Sequence, residues 1–167
     1  LLVWTTTPWT LTSNVAAAVN PKLTYVKVRV PITSKGEADN GPSGKTEILY
    51  LAKGRLSTTI RTEHEVLQEL LGEEFIDLAY SGPFDELTAQ KDVSHRVIAW
   101  DEVSEDEGTG IVHIAPGAGK EDFALGKEFD LPVIAPLDEA GVFVDGFDYL
   151  SGKSVSEVND AIFDSLR

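Results

Sequence analysis

Residues 108–123 read GTGIVHIAPGAGKEDF and contain an apolar run, a Pro-Gly pair and an acidic segment in direct succession. The glycine-flanked apolar run predicts a strand over Gly110–Ala115. The Pro-Gly pair predicts a tight turn. Acidic residues then open a helix over Gly119–Phe129, where they interact favourably with the helix dipole. The stretch therefore predicts a strand, a turn and a helix, with His113 in the strand and Asp122 in the first helical turn.

Short apolar runs separated by turn-forming residues dominate the rest of the chain. Six of them predict strands: Leu1–Thr7, Val15–Val19, Tyr25–Val30, Ile48–Ala52, Phe75–Tyr80 and Arg96–Trp100. Two more stretches have apolar residues at helical spacing, Arg61–Leu71 and Val155–Leu166. Strands outnumber helices and do not alternate regularly with them. We therefore expect a mainly β fold, a barrel or mixed sheet with flanking α-helices, and not a doubly wound parallel sheet.

The length and composition are typical of a single domain over residues 1–167, with 42% hydrophobic and 25% charged residues. Methionine is absent and the chain opens on Leu1-Leu2-Val3-Trp4, as if inside a strand, so we expect it to be excised from a longer protein. It has no apolar run of about 18 residues and no secretion signal at its start, which favours a cytoplasmic location without a membrane.

Two polar segments interrupt the apolar runs. Residues 31–46 are rich in Gly, Pro and Ser, which predicts a mobile hairpin loop. Residues 101–107 are acidic and predict a solvated loop.

The charge balance restricts the partners of the chain. It has 28 acidic and 14 basic residues, and its formal net charge is −14. A domain that gripped nucleic acid by its phosphates would carry the opposite charge. Broad nucleic-acid binding is therefore disfavoured.

The residue types also argue against metals and cofactors. Cysteine is absent, which removes thiolate nucleophiles and cysteine metal sites. A phosphate-binding loop ending at Lys120 would need glycine at Ile114 and a hydroxyl residue at Glu121. The histidines are far apart in the sequence and lack metal-ligand spacing: His64, His95 and His113. We expect neither a metal nor a cofactor.

Residues 4–14 read WTTTPWTLTSN, an unusual concentration of hydroxyl groups and indoles. Threonine is a good strand former and Pro8 a strand terminator, so plain structure accounts for the composition. The same groups could instead line a polar pocket with apolar walls. Likewise, Asp122 has a structural explanation in helix-start electrostatics, and His113 in a buried or rim position.

WTTTPWTL at 4–11 and GTGIVHIAPGAGKEDF at 108–123 resemble the paired motifs of the isoleucyl-tRNA synthetase editing insert. The related valyl and leucyl enzymes have an arginine after two threonines, whereas here Thr7 is followed by Pro8 and Trp9. The resemblance implies a β-barrel core with flanking helices and an aminoacyl-tRNA deacylase that hydrolyses valine misattached to isoleucine tRNA. The synthetic motifs of such enzymes are absent, so we expect no amino-acid activation by this chain.

The resemblance also implies roles for individual residues. Asp122 would hold the substrate α-ammonium group, and His113 would crowd the side-chain pocket. The implied catalytic set is Thr5, Thr6, Thr7 and Asp122, and the implied substrate-binding set is His113, Trp9, Thr10, Ala115 and Asp122. Thr12 and Ala118 depart from the usual pattern, which leaves the pocket volume open. The implied partners are the 3′ aminoacyl end of isoleucine tRNA and the rest of the synthetase chain.

A different class of function is a noncatalytic module that binds an amino acid or an aminoacyl-adenylate. The acidic charge and the lack of an evident protein base favour this alternative.

Overall fold

The computed structural model describes residues 1–32 and 45–166. Its strands are β1 (Ala16–Val19), β2 (Thr24–Pro31), β3 (Thr46–Ala52), β4 (Glu65–Leu71), β5 (Arg96–Ala99) and β6 (Ile111–Ile114). Its α-helices are α1 (Leu56–Thr59), α2 (Lys120–Glu128) and α3 (Val155–Ser165). Its 3₁₀-helices are η1 (Pro8–Ser13), η2 (Lys53–Arg55), η3 (Gly72–Phe75), η4 (Thr88–Gln90) and η5 (Asp148–Leu150). None of the helices in these ranges combines the length and apolar character needed to cross a membrane.

The chain folds as two compact units. The first consists of Leu1–Trp4, Val19–Ile76 and Ala99–Val112, and the second of Thr5–Ala18, Asp77–Ile98 and the chain from His113 onward. All the predicted site residues belong to the second unit. The expectation of a single domain over 1–167 stays a prediction.

The first unit contains an antiparallel sheet of order β3-β2-β4. β2 is the central strand, and its Val26, Val28 and Val30 are buried with Leu51 of β3. Side chains that alternate along a strand point to opposite faces, so these valines share one face. Leu2, Leu49, Leu56 and Ile60 pack against that face and complete the core of the unit.

Strand β4 corrects the helix predicted over Arg61–Leu71. Glu65–Leu71 pairs with β2 in antiparallel register, with an irregularity between Lys27 and Val28. Backbone groups along β2 need hydrogen-bond partners on both sides, and this pairing outweighs a helical spacing of apolar residues. Val66 and Leu71 are exposed, as expected of an edge strand and not of an amphipathic helix packed on a core.

The predicted mobile loop at 31–46 lies largely outside the described residues. Its two described ends are paired, with Pro31 opposite Thr46 in the β2–β3 register. The Ile32 backbone N–H donates to Lys45 O at 3.0 Å.

The acidic segment at 101–107 is a largely exposed loop, as predicted, and hydrogen bonds to Arg55 and Gly54 also anchor it. Arg55 donates from its guanidinium to the carbonyls of Gly108, Glu105 and Asp106, at 2.9, 3.3 and 3.2 Å. In return, the Glu105 carboxylate accepts the Gly54 backbone N–H at 2.8 Å. We call this reciprocal set of bonds the Arg55 clasp. It holds the path of the loop mainly through main-chain carbonyls.

The second unit is built around an apolar cluster to which helix α3 contributes Val158 and Ile162. Its other buried members are Phe84, Leu87, Phe143, Phe147 and Leu150. Trp9 and Leu11 of η1 pack against the cluster, and α3 lies against η1. The predicted helices over Gly119–Phe129 and Val155–Leu166 are confirmed as α2 and α3.

Strands β5, β1 and β6 form a second sheet with β1 in the centre. All four residues of β1 are buried, and three of them are alanines. The two three-stranded sheets are open, so the mixed α/β character is confirmed whereas the predicted barrel is not found among the described strands.

Two predicted strands are wrong over most of their length. In Leu1–Thr7, only Trp4 makes a β-bridge, to Val112, before the chain enters η1. In Phe75–Tyr80, only Ala79 makes one, because Asp77 has a left-handed backbone with φ of 63° that interrupts extended structure.

Candidate functional site

The threonine-rich motif forms a 3₁₀-helix in which hydroxyl groups satisfy nearby carbonyls. Thr10 Oγ1 donates to Thr7 O at 2.7 Å, Thr12 Oγ1 to Trp9 O at 2.8 Å, and Ser13 Oγ to Thr10 O at 3.1 Å. Ser and Thr side chains commonly compete with regular backbone pairing in this way. The hydroxyl-rich composition is therefore partly explained by local structure.

The three consecutive threonines are used unequally. Thr5 Oγ1 accepts the Thr7 backbone N–H at 3.0 Å, which fixes the turn before η1. Thr6 is exposed, while Thr5 and Thr7 are half-buried. Within the described ranges, the Thr6 and Thr7 hydroxyls make no hydrogen bond. These two hydroxyls are free to contact a ligand.

Thr10 joins the two sequence motifs. Its Oγ1 lies 2.9 Å from Nε2 of His113, and both residues are buried. The single hydroxyl proton of Thr10 is donated to Thr7 O, so its oxygen accepts from the imidazole. This arrangement assigns the neutral Nε2–H tautomer to His113 and leaves the Nδ1 lone pair as an acceptor.

Burial controls the protonation of His113. Removal from water lowers the pKa of the imidazole from 6.5 to about 4. Its Nδ1 atom is buried and has no hydrogen-bond partner in the part of the chain that the structure describes. His113 is therefore a neutral side chain near pH 7, with one unused acceptor.

Asp122 lies in the first turn of α2 and reaches back to the loop after β6. Its Oδ2 accepts the Ala115 backbone N–H at 2.8 Å. Burial raises the pKa of the half-buried carboxyl, the Ala115 bond opposes this, and the nearby Glu121 charge raises it further. The carboxyl thus has one oxygen committed to the loop.

Two glycines permit the tight path between β6 and α2. A Cβ on Gly117 would lie 1.9 Å from Ile134 O, so the backbone of another segment occupies that space. A Cβ on Gly119 would instead meet the Asp122 carboxyl, with 2.9 Å to its Cγ. Gly117 therefore allows close packing, and Gly119 leaves room for the Asp122 side chain.

The predicted site residues fall into two hydrogen-bonded groups in the second unit. One group links Thr5, Thr7 and Thr10 to His113, and the other links Asp122 to Ala115. No hydrogen bond joins the two groups among the residues described, although β6 and the following turn connect them along the chain. Trp9 packs against the apolar cluster. No three His, Asp or Glu side chains in the described ranges are arranged to hold a metal ion.

Sequence reasoning missed a buried amide beside η1. Gln90 is 3% exposed, and its Nε2 donates to Thr12 O at 2.7 Å and to Asn14 O at 3.1 Å. Tyr80 donates to Asn14 Oδ1 at 2.6 Å and lies next to the imidazole of His95. No motif or spacing marks Gln90 in the sequence, because a lone glutamine after an apolar residue is unremarkable.

Known sequences that are similar to this chain match it over nearly its whole length, and those compared below share one name. Isoleucine–tRNA ligase of Methanothermobacter marburgensis is 41% identical over 168 residues, which cover 100% of this chain and 15% of that protein. The enzyme of Archaeoglobus fulgidus is 41% identical over 171 residues, with 99% of this chain and 16% of that protein covered. The enzyme of Pyrococcus horikoshii is 38% identical over 177 residues, with 100% and 16% covered. The chain thus spans about one sixth of the length of these relatives. No family model matches the chain.

Solved structures identify the fold. GlLeuRS-CP1 superposes with a TM-score of 0.70 at 15% identity, covering 98% of this chain and 78% of that one. The editing domain of the P. falciparum cytosolic leucyl-tRNA synthetase gives a TM-score of 0.64 at 12% identity, covering 97% and 74%. Over its whole length the chain is therefore similar to one segment of isoleucine–tRNA ligases, and it has the fold of the leucyl-tRNA synthetase editing domains.

Proposed function

We propose that this chain is the editing module of an isoleucine–tRNA ligase and hydrolyses valine misattached to isoleucine tRNA. The observation that carries the proposal is the Thr10–His113 hydrogen bond, because it brings one residue of each motif together within the second unit. The similar sequences are isoleucine–tRNA ligases, which supports isoleucine tRNA as the substrate. The similar folds are editing domains, which supports editing in preference to amino-acid activation.

The need for such a site follows from the limits of size selection. One methylene in an apolar pocket is worth only about 1–3 kcal/mol, a range known from the discrimination of isoleucine from valine itself. A synthetic site that accepts isoleucine must therefore accept some valine. A second and smaller pocket can exclude isoleucine sterically, and we assign that exclusion to the buried, neutral ring of His113 together with Thr7 and Trp9.

The chemistry needs positioning more than a strong base. An aminoacyl ester is already activated, so holding it beside an ordered water supplies much of the rate. The unengaged hydroxyls of Thr6 and Thr7, together with Thr5, are the groups that orient this water. His113 is a poor general base near neutral pH because burial lowers its pKa to about 4.

Asp122 is assigned to the substrate α-ammonium group. One carboxylate oxygen holds the Ala115 N–H, which fixes the orientation of the carboxylate and leaves the second oxygen for the ligand. A charge-assisted hydrogen bond to an ammonium group is stronger than a neutral one, and the cation would itself favour the ionised carboxylate. Ala115 contributes through its backbone, which lines the same turn.

The formal charge of −14 limits how the nucleic acid can bind. Tight phosphate contact along a tRNA would need basic groups, so we assign only the 3′ aminoacyl end to this module. The rest of the synthetase chain holds the remainder of the tRNA, and the work takes place in the cytoplasm.

The test is deacylation of valyl-isoleucine tRNA by the synthetase that contains this chain, compared with its Asp122→Ala variant. Glu121→Ala is the matched control, since it removes a neighbouring exposed carboxylate from the same helical turn. We expect loss of deacylation only in Asp122→Ala. Undiminished deacylation in that variant removes the role given to Asp122. Tight binding of valine or its adenylate, without ester cleavage by the parent enzyme, favours a noncatalytic module instead.

A further inference from the structure

The buried amide of Gln90 holds the far end of the helix that carries Thr10. Its Nε2 donates to the carbonyls of Thr12 and Asn14, at 2.7 and 3.1 Å. The last carbonyls of a helix have no partner within it, and a side-chain donor can satisfy them. Gln90 therefore fixes the end of η1 opposite to Thr7.

Stability alone does not explain an amide at this position. Gln90 Oε1 is buried and has no hydrogen-bond partner within residues 1–32 and 45–166. The penalty for a buried acceptor without a partner is comparable to the gain from two neutral hydrogen bonds. The amide therefore adds little net stability. What distinguishes it is the position of its two hydrogen bonds at the end of η1.

Gln90 itself is attached to a rigid part of the second unit. It ends η4, and Leu87 immediately before η4 is fully buried in the apolar cluster. Thr88 donates from its backbone and its hydroxyl to the Asp148 carboxylate, at 2.7 and 2.9 Å. The Ala89 N–H donates to Gly146 O at 2.8 Å. These contacts hold η4 in place and so fix the position of the Gln90 amide nitrogen.

We propose that Gln90 is a positioning residue that sets the rotation of η1, so that the Thr10 hydroxyl accepts the Nε2–H of His113. The effect of this positioning on catalysis rests on the proposed function, whereas its effect on the structure does not. Thr10 lies within one 3₁₀ turn of Thr12, so a rotation of η1 about its axis moves both residues together. Through Thr10, Gln90 determines the orientation of the imidazole and of its free Nδ1.

The test uses Gln90→Met in the 167-residue chain, because methionine matches glutamine in length without donating or accepting. The readout is the NMR signals of the two ring nitrogens of His113, which report tautomer and hydrogen bonding. The expected result is a displaced Nε2 signal. Leu87→Val is the control, since it disturbs the apolar cluster on which η1 packs but keeps the Gln90 amide; it should move Ile162 methyl signals and leave the His113 nitrogens unchanged.

Unchanged His113 nitrogen signals in folded Gln90→Met overturn the proposal, and so does equal displacement in Leu87→Val. If Gln90→Met does not fold, Gln90→Leu replaces it, because leucine also has no donor and is a smaller apolar side chain. It should displace the Nε2 signal in the same way, and an unmoved signal again overturns the proposal.

Deacylation separates this inference from the function on which it rests. In the whole synthetase, Gln90→Met should lower kcat for valyl-tRNA hydrolysis by about tenfold to a hundredfold with little change in KM, as expected of a misplaced group. A full rate in that variant overturns the positioning role in editing. A parent enzyme without deacylation contradicts the proposed function, and Gln90 is then judged on the nitrogen signals alone.

Discussion

Thr10 Oγ1 and His113 Nε2 lie 2.9 Å apart in space although 103 residues separate them in the chain. The contact requires η1 and β6 to lie side by side, and the Val15 N–H donating to Ile114 O at 2.9 Å holds the same arrangement through the backbone. A single side-chain pair thus reports whether the two motifs share a site.

Thr10→Val should destabilise the second unit, because it keeps the shape and removes the hydroxyl. The buried Nε2–H of His113 would lose its acceptor, which costs about 1–3 kcal/mol. Thr10→Ser keeps the hydroxyl and serves as the control. Urea unfolding measures both, and equal stability of the Val and Ser variants would contradict the hydrogen bond.

Stability should fall on acidification through the titration of His113. The folded pKa is about 4 and the unfolded value about 6.5, so the unfolded chain binds the proton first. From about pH 7 to about pH 5 the free energy of unfolding should drop by about 2 kcal/mol relative to His113→Gln, which does not titrate. Parallel pH profiles for the two proteins would show that His113 is not buried and neutral.

Gly117→Ala should lower the stability of the fold, whereas Gly119→Ala should lower the activity and leave the stability unchanged. The first places a methyl group on the Ile134 carbonyl, so we expect about 1–3 kcal/mol of destabilisation or more. The second meets only the movable Asp122 carboxyl, so we expect a stable fold and impaired deacylation. Thermal unfolding and valyl-tRNA hydrolysis distinguish the two, and full activity in stable Gly119→Ala would show that the carboxyl position is unimportant.

His113→Ala should broaden substrate selection. Removing the buried ring enlarges the space next to Thr10, so correctly charged isoleucyl-tRNA should become a substrate for hydrolysis. Release of isoleucine from isoleucine tRNA measures this directly. Cleavage still confined to valine would assign the size limit to other residues.

The regular strands and the two long helices were predictable because their periodicity agrees with their burial. β2 alternates buried and less buried residues, and α3 buries Val158 and Ile162 one turn apart. β4 was not predictable from its own sequence, since EVLQELL has helical spacing and becomes a strand only by pairing with β2. A local sequence pattern does not predict the secondary structure of a segment when pairing with a distant strand determines it.

At the site, the same distinction holds for single residues. Two short motifs include Thr10 and His113, and their side chains are hydrogen bonded in the structure. The motifs did not predict that threonine hydroxyls close a 3₁₀-helix, because side-chain to backbone bonding leaves no periodic signal. Gln90 could not be found from the sequence either, since its role depends on a contact 78 residues away with Thr12.

Because of the Arg55 clasp, the path of the acidic loop depends little on its acidic side chains. Arg55 grips carbonyls, and of the side chains of Glu105, Asp106 and Glu107 only that of Glu105 takes part. Replacing Asp106 and Glu107 by their amides would therefore weaken the negative field while the loop keeps its path. Long-range fields govern encounter rates with charged partners and are screened by salt. If the module receives an RNA end, as proposed, these amides should change the rate of encounter and leave the groups around Thr10 and His113 unaltered.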